Sequence, residues 1–218
     1  MTTVFYDQAE SNVNGMIIRF PNHFIRLLKS IGEGTYSYVY AGIDVENMQK
    51  YAIKQVSNHN ERYESVTMNE IRALKRLKSK SYIIEIFDDV RIEKNHYILL
   101  EYCPISLLEY IQKRSSIPFE DAEIIKLLGQ ITKAVEHMHC LDPPLINRDL
   151  KIDNILLNQN CLVRLCDFGS ATVEKIDSAA LDYNQKCITE KNVFTITCFS
   201  SSKAQPVYTE PLRCSISF

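Results

Sequence analysis

Two short segments concentrate groups able to hold a metal-bound phosphate and move a proton. The first is Ile146-Asn-Arg-Asp-Leu-Lys-Ile-Asp-Asn-Ile-Leu-Leu157, and the second is Leu165-Cys-Asp-Phe-Gly169. Asp149 and Asn154 stand five apart where a loop gives way to a strand, and Asp167 follows Asp149 by 18 residues at the end of a predicted hairpin. Two carboxylates and an amide converging there supply hard oxygen ligands of the kind that suit Mg²⁺ bound to a nucleotide. One carboxylate is then left to receive a hydroxyl proton. Any one of these residues could simply cap a turn, but turn capping does not account for the ordered set.

Upstream, Ile31-Gly-Glu-Gly-Thr-Tyr-Ser-Tyr-Val39 holds two of the six glycines. Glycine lets the backbone approach an anion with no Cβ in the way, and turn amides can face it. A lone Gly-x-Gly is equally what a plain β-turn uses. A dinucleotide fingerprint would sit between a strand and a helix. Strand-like tyrosines follow here, so a hairpin lid over phosphates is the better match. Tyr51-Ala-Ile-Lys54 ends in a lysine on an apolar strand, and Glu70, 16 residues later on a charged-apolar helix, could pair with it if that helix packs on the sheet. Alone, such a lysine is more often a solvated surface residue.

The elements that must position these groups follow from periodicity. Tyr36, Tyr38 and Tyr40 alternate with Ser37 and Val39, which predicts a strand, and a second is expected over Lys50–Val56. A helix is predicted from about Asn60 to Lys78, with Ile71, Leu74 and Leu77 three apart. Ile83–Val90 and His96–Tyr102 read as strands, Pro104 ends the second, and a short helix covers about Ser106–Lys113. The clearest helix is Glu120–Cys140. At about 100° per residue, Leu127, Leu128, Ile131, Val135 and Met138 lie within about 60° of Ile124, a stripe expected to be buried. Asp142-Pro143-Pro144 stops it, and short strands are expected near Ile155–Asn158 and Leu162–Cys166. The order suggests two lobes joined near Glu101–Pro104.

Composition excludes several classes. The 218 residues carry 25 basic and 27 acidic side chains, a net charge of −2, which gives no reason to expect a nucleic-acid binder. Hydrophobic residues make up 45%, too many for wholesale disorder. The apolar runs are far shorter than the roughly 20 residues of a membrane span. Asp7 and Glu10 with no apolar core do not read as a secretory signal. Seven cysteines without a C-x-x-C pair argue for reduced thiols in a cytosolic or nuclear protein, the cytoplasm being the expected location, over a zinc knuckle or disulfide framework. His137 and His139 point to different faces of their helix and are read as structural.

Taken together, the glycine loop, strand lysine, helix glutamate, catalytic loop and Asp-Phe-Gly resemble the protein-kinase set over about Phe24–Thr172. Lys151, two residues after Asp149, looks like the serine/threonine-specific pattern. Pro143-Pro144 and Asp-Phe-Gly-Ser-Ala-Thr are similar to the Numb-associated (AP2-associated) branch. The resemblance implies an α+β, two-lobed fold with a β-rich N-lobe, one key helix and an incomplete, mainly helical C-lobe. It implies ATP and Mg²⁺ as cofactors and a protein substrate. The backbone of Ile31, Gly32, Glu33, Gly34, Thr35, Tyr36 and Ser37 would cover the phosphates, with Val39, Ala52 and Leu156 around the adenine. Lys54 would hold the α- and β-phosphates and Glu70 would fix Lys54. Glu101 and Cys103 would offer hinge backbone groups behind the gatekeeper Leu100. Asp149 would orient the substrate hydroxyl and take its proton, Lys151 would steady the transferred group, and Asn154 and Asp167 would bind Mg²⁺. Arg148 suggests control by phosphorylation at Thr189, Thr195 or Thr197.

The sequence departs from the family pattern in three places. Ser37 replaces the third loop glycine, with a small expected effect. Asn147 stands where histidine is usual, and the smaller amide is expected to loosen the catalytic loop under Phe168 and weaken activity. After Thr195-Ile-Thr197 no Ala-Pro-Glu follows, Thr209-Glu-Pro211 being only a scrambled echo, and with no tryptophan there is no Asp-x-Trp-x-x-Gly helix. The expected division is therefore an irregular lead-in over 1–22, an N-lobe over 23–103, a partial C-lobe over 104–197 and a divergent, disordered tail over 198–218. The helix stripe would lose its usual partner, making a regulatory protein over that C-lobe face a candidate partner. Two functions remain open: a protein serine/threonine kinase, or a truncated, inactive module that holds nucleotide or a partner.

Overall fold

The computed structural model describes residues 15–34, 37–57, 61–114 and 117–173. In chain order these form β1 (Ile17–Arg19), β2 (Phe24–Gly34), β3 (Ser37–Asp44), β4 (Lys50–Ser57), α1 (Glu61–Arg76), β5 (Ile86–Ile92) and β6 (Asn95–Glu101). They continue with β7 (Ile105–Ser106), α2 (Leu107–Lys113), α3 (Asp121–His139), a 3₁₀ turn (Ile152–Asn154), β8 (Ile155–Leu157) and β9 (Val163–Leu165). The first six strands make one antiparallel sheet in the order β1-β2-β3-β4-β6-β5, and β7-β8-β9 make a second, smaller one. The result is an α+β fold with a sheet-rich N-lobe and an incomplete C-lobe.

Alternation along the central strands gives the large sheet two different apolar faces. Tyr51, Ile53, Tyr97 and Leu99 point to one side, where Ile18, Phe20, Ile25 and Leu27 complete a cluster confined to the sheet. Ala52, Ile98 and Leu100 point to the other, where α1 contributes Ile71, Leu74 and Leu77. That second cluster runs on into the C-lobe through Leu107, Ala134, Met138, Ile155, Leu165 and Phe168. Strands buried on both sides cannot show polar alternation, and β4 and β6 read as near-continuous apolar runs for that reason.

Ion pairs hold α1 across the sheet. Lys75 pairs with Asp89 of β5, and Glu64 pairs with Arg91 one strand turn away. Burial alone would raise the Asp89 carboxyl, but hydrogen bonds from Lys75 and His96 outweigh it and hold the group below its ordinary value. The C-lobe helices start on local caps. Ser106 Oγ accepts from Glu109 N–H at 3.1 Å, and Glu123 accepts from Glu120 N–H at 3.0 Å.

Three sequence expectations change. The lead-in expected to be irregular contains β1, because Ile18 and Phe20 are buried under β2 and its backbone pairs Ile17 with Arg26. The strand expected from Ile83 starts at Ile86, since Ile83 instead forms a lone parallel bridge to Leu165. The stripe on α3 is rotated: Gln130, Ala134 and Met138 are buried, while Leu128 is 44% exposed. The rotation follows from β9. Gln130 Oε1 accepts the Val163 N–H at 2.8 Å, and Ala134 allows close packing, so a polar and a small residue occupy the buried arc. The strand β7 was not anticipated either. The expectations for 174–218, including the disordered tail, Thr189, Thr195, Thr197 and Thr209, lie outside the described residues. Among the described residues no helix is long and apolar enough to cross a membrane.

Candidate active site

Between the lobes lies a cleft of about 820 Å³ lined by most of the sequence-predicted residues, while Asp149 stands just outside the lining, bonded to Lys151 and Asn154 on it. Its roof is the β2–β3 hairpin, in which Gly32 pairs with Val39 and Gly34 with Ser37. A Cβ on Gly34 would stand 2.9 Å from Ser37 Oγ, so any larger residue there would make the serine side chain turn away. Ile31, Gly32, Glu33, Gly34, Ser37 and Val39 all line the cleft. Thr35 and Tyr36 lie outside the described residues.

Lys54 enters from β4 on the same face as Ala52, two residues earlier. Its Nζ is 2.7 Å from both Glu70 oxygens, so a strand and a helix 16 residues apart are joined by a bidentate, largely buried pair. Desolvation would lower the Lys54 ammonium, but the carboxylates of Glu70 and Asp167 outweigh it and hold the group above its usual range. Lys54 is therefore a fixed cation at any pH near neutrality.

The floor comes from the β8–β9 hairpin and the loop before it. Ile155 pairs with Leu165, which brings Asn154 opposite Cys166, and Cys166 N–H donates to Asn154 O at 2.9 Å. Asp167 follows with φ +60°, turning its carboxylate into the cleft beside Lys54. Asn154 Nδ2 donates to Asp149 O and to Asp149 Oδ2, each at 2.9 Å. Lys151 Nζ reaches the same Oδ2 at 2.8 Å, and that bond holds the lysine ammonium above its ordinary range. One cation and one amide thus converge on Oδ2, and Asp149 Oδ1 is the remaining acceptor. Leu156 lies on the floor, and Leu100, Glu101 and Cys103 line the back.

Asn147 is buried and doubly bonded. It is 4% exposed, its Nδ2 donates to Asp167 O at 3.1 Å, and its Oδ1 accepts Asp149 N–H at 2.9 Å. One amide therefore spans from the Asp167 turn to the backbone of the loop that carries Asp149, two bonds that the sequence does not show.

Several contacts were not foreseen. The Glu101 carboxylate ties the hinge to the hairpin, accepting from Arg164 Nε at 2.5 Å and Asn158 Nδ2 at 3.3 Å. Its N–H is bonded to Glu85 O, so only its carbonyl is left for a ligand. Leu74, Ile84 and Cys166 also line the cleft. No local pattern marks Glu101–Arg164, but Leu74 could have been found as the residue one helical turn beyond Glu70. Burial pushes the thiols of Cys103 and Cys166 up to about 12, so both stay protonated and neither is a nucleophile at neutral pH.

The residues fit a nucleotide with Mg²⁺. Val39, Ala52, Leu100 and Leu156 offer apolar walls, and the glycine turn offers close backbone approach. Asn154 Oδ1, left free by the bonds of its amide nitrogen, and the Asp167 carboxylate are two hard oxygen donors. Among the described residues no group of three or more His, Cys, Asp or Glu forms a self-sufficient metal site. A two-ligand site suits Mg²⁺, which keeps waters and takes phosphate oxygens.

Comparisons with known proteins agree with this geometry. Residues 25–193, more than half of the chain, match the family model described as protein kinase domain. A Dictyostelium discoideum protein named probable serine/threonine-protein kinase is 36% identical over 171 residues, covering 75% of this chain and 15% of that protein. Serine/threonine-protein kinase ppk30 of Schizosaccharomyces pombe is 33% identical over 164 residues, covering 72% of this chain and 17% of its own length. Actin-regulating kinase 1 of Saccharomyces cerevisiae is 28% identical over 162 residues, covering 68% and 25% respectively. The chain thus spans a quarter or less of these relatives' lengths. With the motifs, the two-lobed fold and the family match in agreement, the chain belongs to the protein kinase domain family.

Proposed function

We propose that the cleft binds ATP with Mg²⁺ and that the protein transfers the γ-phosphoryl group to serine or threonine hydroxyls of protein substrates. The observation that carries this is the convergence on one cleft of a paired Lys54 and the oxygen donors Asn154 and Asp167, with Asp149 tied to the cleft-lining Asn154 and Lys151 through Oδ2 and its Oδ1 left available. Mg²⁺ bound with the nucleotide would neutralise charge that develops on the phosphate oxygens. Lys54, held cationic and fixed by Glu70, binds the α- and β-phosphates. Asp149 orients the substrate hydroxyl and accepts its proton at Oδ1 as the oxygen–phosphorus bond forms and the bridging bond to ADP breaks. Lys151 sits at Asp149 Oδ2 and steadies the transferred group. Most of the acceleration comes from positioning and charge.

Finer points belong to the same proposal. Lys151 supports serine/threonine over tyrosine substrates. Pro143-Pro144 and the Ser-Ala-Thr after Gly169 support the Numb-associated branch.

Incubation of the 218-residue chain with Mg-ATP and a generic protein substrate tests the function. The expected result is phosphoserine or phosphothreonine that disappears with Asp149→Asn. Nucleotide binding with no phosphoprotein, indistinguishable from the Asp149→Asn control, would instead establish a nucleotide-holding module.

A further inference from the structure

The helix that supplies Glu70 also grips the metal-binding turn. Asn69, the preceding residue on α1, donates through Nδ2 to Ala171 O at 2.6 Å and Gly169 O at 3.3 Å. These bonds join residues about 100 apart in sequence. Val66, one helical turn earlier, is so near that a Cβ on Gly169 would lie 3.1 Å from Val66 Cγ1. Helix and turn therefore touch through a glycine surface and an amide. From the opposite side Asn147 Nδ2 holds Asp167 O. Phe168, between the two grips, is fully buried in the cluster that also contains Leu74 of α1.

The chemistry of position 69 is specific. A primary amide carries two N–H donors, and two carbonyl oxygens face it. Leucine has a similar shape with no donor, and aspartate would present acceptors to acceptors. Lys54 and Glu70 fix α1 to the sheet, while Asn147 fixes the turn to the catalytic loop. Neither link joins α1 to the turn, and Asn69 does.

We propose that Asn69 is a positioning residue for phosphoryl transfer, whose carboxamide makes docking of Glu70 on Lys54 and placement of Asp167 in the cleft one coupled event. This rests on the cleft being the Mg-nucleotide site. Withdrawal of α1 breaks the Lys54–Glu70 pair and the two Asn69 bonds together, and a displaced turn removes the same anchor from α1. Coupling of this kind is reciprocal.

The test uses the whole chain. In nucleotide-free protein, hydrogen exchange is followed at the amides of Ala171 and Thr172, which donate to Phe168 O and Ile146 O. Asn69→Leu is expected to speed exchange at both about tenfold and to weaken Mg-ATP binding about tenfold, the scale of a lost buried hydrogen bond. In a Glu70→Gln background the same substitution should weaken Mg-ATP binding less than twofold further, because the coupled event is already broken. Asn69→Gln, which keeps an amide donor, should stay within about threefold of wild type and shows that the fold tolerates change at this position. Unchanged exchange in a folded Asn69→Leu protein, or a full tenfold effect in the Glu70→Gln background, would overturn the coupling. Wild-type chain that binds no Mg-ATP would overturn the nucleotide reading, and the positioning role with it. Unchanged exchange alongside intact nucleotide binding overturns the coupling alone.

Discussion

Two of the ion pairs at the cleft are built in opposite ways. Lys54 and Glu70 are 18% and 5% exposed and come from a strand and a helix packed against the core. Asp149 and Lys151 are 38% and 49% exposed and sit two residues apart in one loop. Breaking a buried pair leaves an uncompensated charge away from water, whereas an exposed pair contributes little to stability. The Lys54–Glu70 side of the cleft is therefore part of the folding framework. The Asp149–Lys151 side is carried by a loop that the framework holds through Asn147 and Asn154.

That contrast yields an ordered set of expectations. The largest concerns the exposed side. Asp149→Asn should lower the phosphoryl-transfer rate by roughly 10³-fold, the range for losing a positioned base. Its unfolding midpoint should stay close to wild type. Initial rates and a thermal melt measured together would check this, and a large loss of stability would erase the distinction between the two pairs.

On the buried side, Glu70→Ala should cost about 3 kcal/mol of folding stability by stranding the Lys54 ammonium. Denaturant unfolding reads this out, and Lys54→Met, Glu70→Leu together should recover part of the loss. If Glu70→Ala unfolds no more readily than Asp149→Asn, the Lys54–Glu70 pair is not part of the framework.

Asn147 links the two sides and should show an intermediate effect. Asn147→Ala removes both of its bonds and should slow turnover about tenfold with a smaller change in stability. Asn147→His sharpens the point, because only a neutral ring can both donate to Asp167 O and accept Asp149 N–H. Its activity should fall as pH drops through about 6.5, the ordinary histidine value. Wild-type activity should show no such step from position 147, since an amide does not titrate. A pH–rate profile of the two proteins decides it.

The smallest effect lies farthest from the chemistry. Asp89→Asn should cost about 1 kcal/mol at neutral pH by removing the Lys75 and His96 contacts behind α1. The Asp89 carboxyl is held below its ordinary 3.8, so its stabilisation is present above that value and is lost as pH falls through the depressed native one. The gap between variant and wild type in urea unfolding should close over that acid range.

Much of the fold and most of the site could be read locally, and the failures have physical causes. The helix Asp121–His139 was expected at Glu120–Cys140 because its apolar period and the Asp142-Pro143-Pro144 stop are both local. Its buried face was misjudged because hydrophobicity counts favour Leu128 over Gln130, and only β9 supplies the N–H that satisfies Gln130. Ile17–Arg19 escaped notice because three residues carry no period, and burial under β2 is what makes them a strand. Asn147 appeared to be a weakness because its loss of volume is visible in sequence and its two hydrogen bonds are not.

By itself the sequence determined the chemistry available. Asp149, Lys151 and Asn154 lie within six residues, so backbone geometry alone brings them together once the loop and the 3₁₀ turn form. Asp167 follows by way of one short hairpin. Only the tertiary structure decided the long-range partners: Arg164 on Glu101, and Asn69 on Gly169 and Ala171. Such bonds span about 60 to 100 residues, and an asparagine or a glutamate shows no pattern that names its partner at that range. They exist because the shared apolar cluster packs α1, the β8–β9 hairpin and the hinge against one another, and polar groups left at those seams must then find a hydrogen bond.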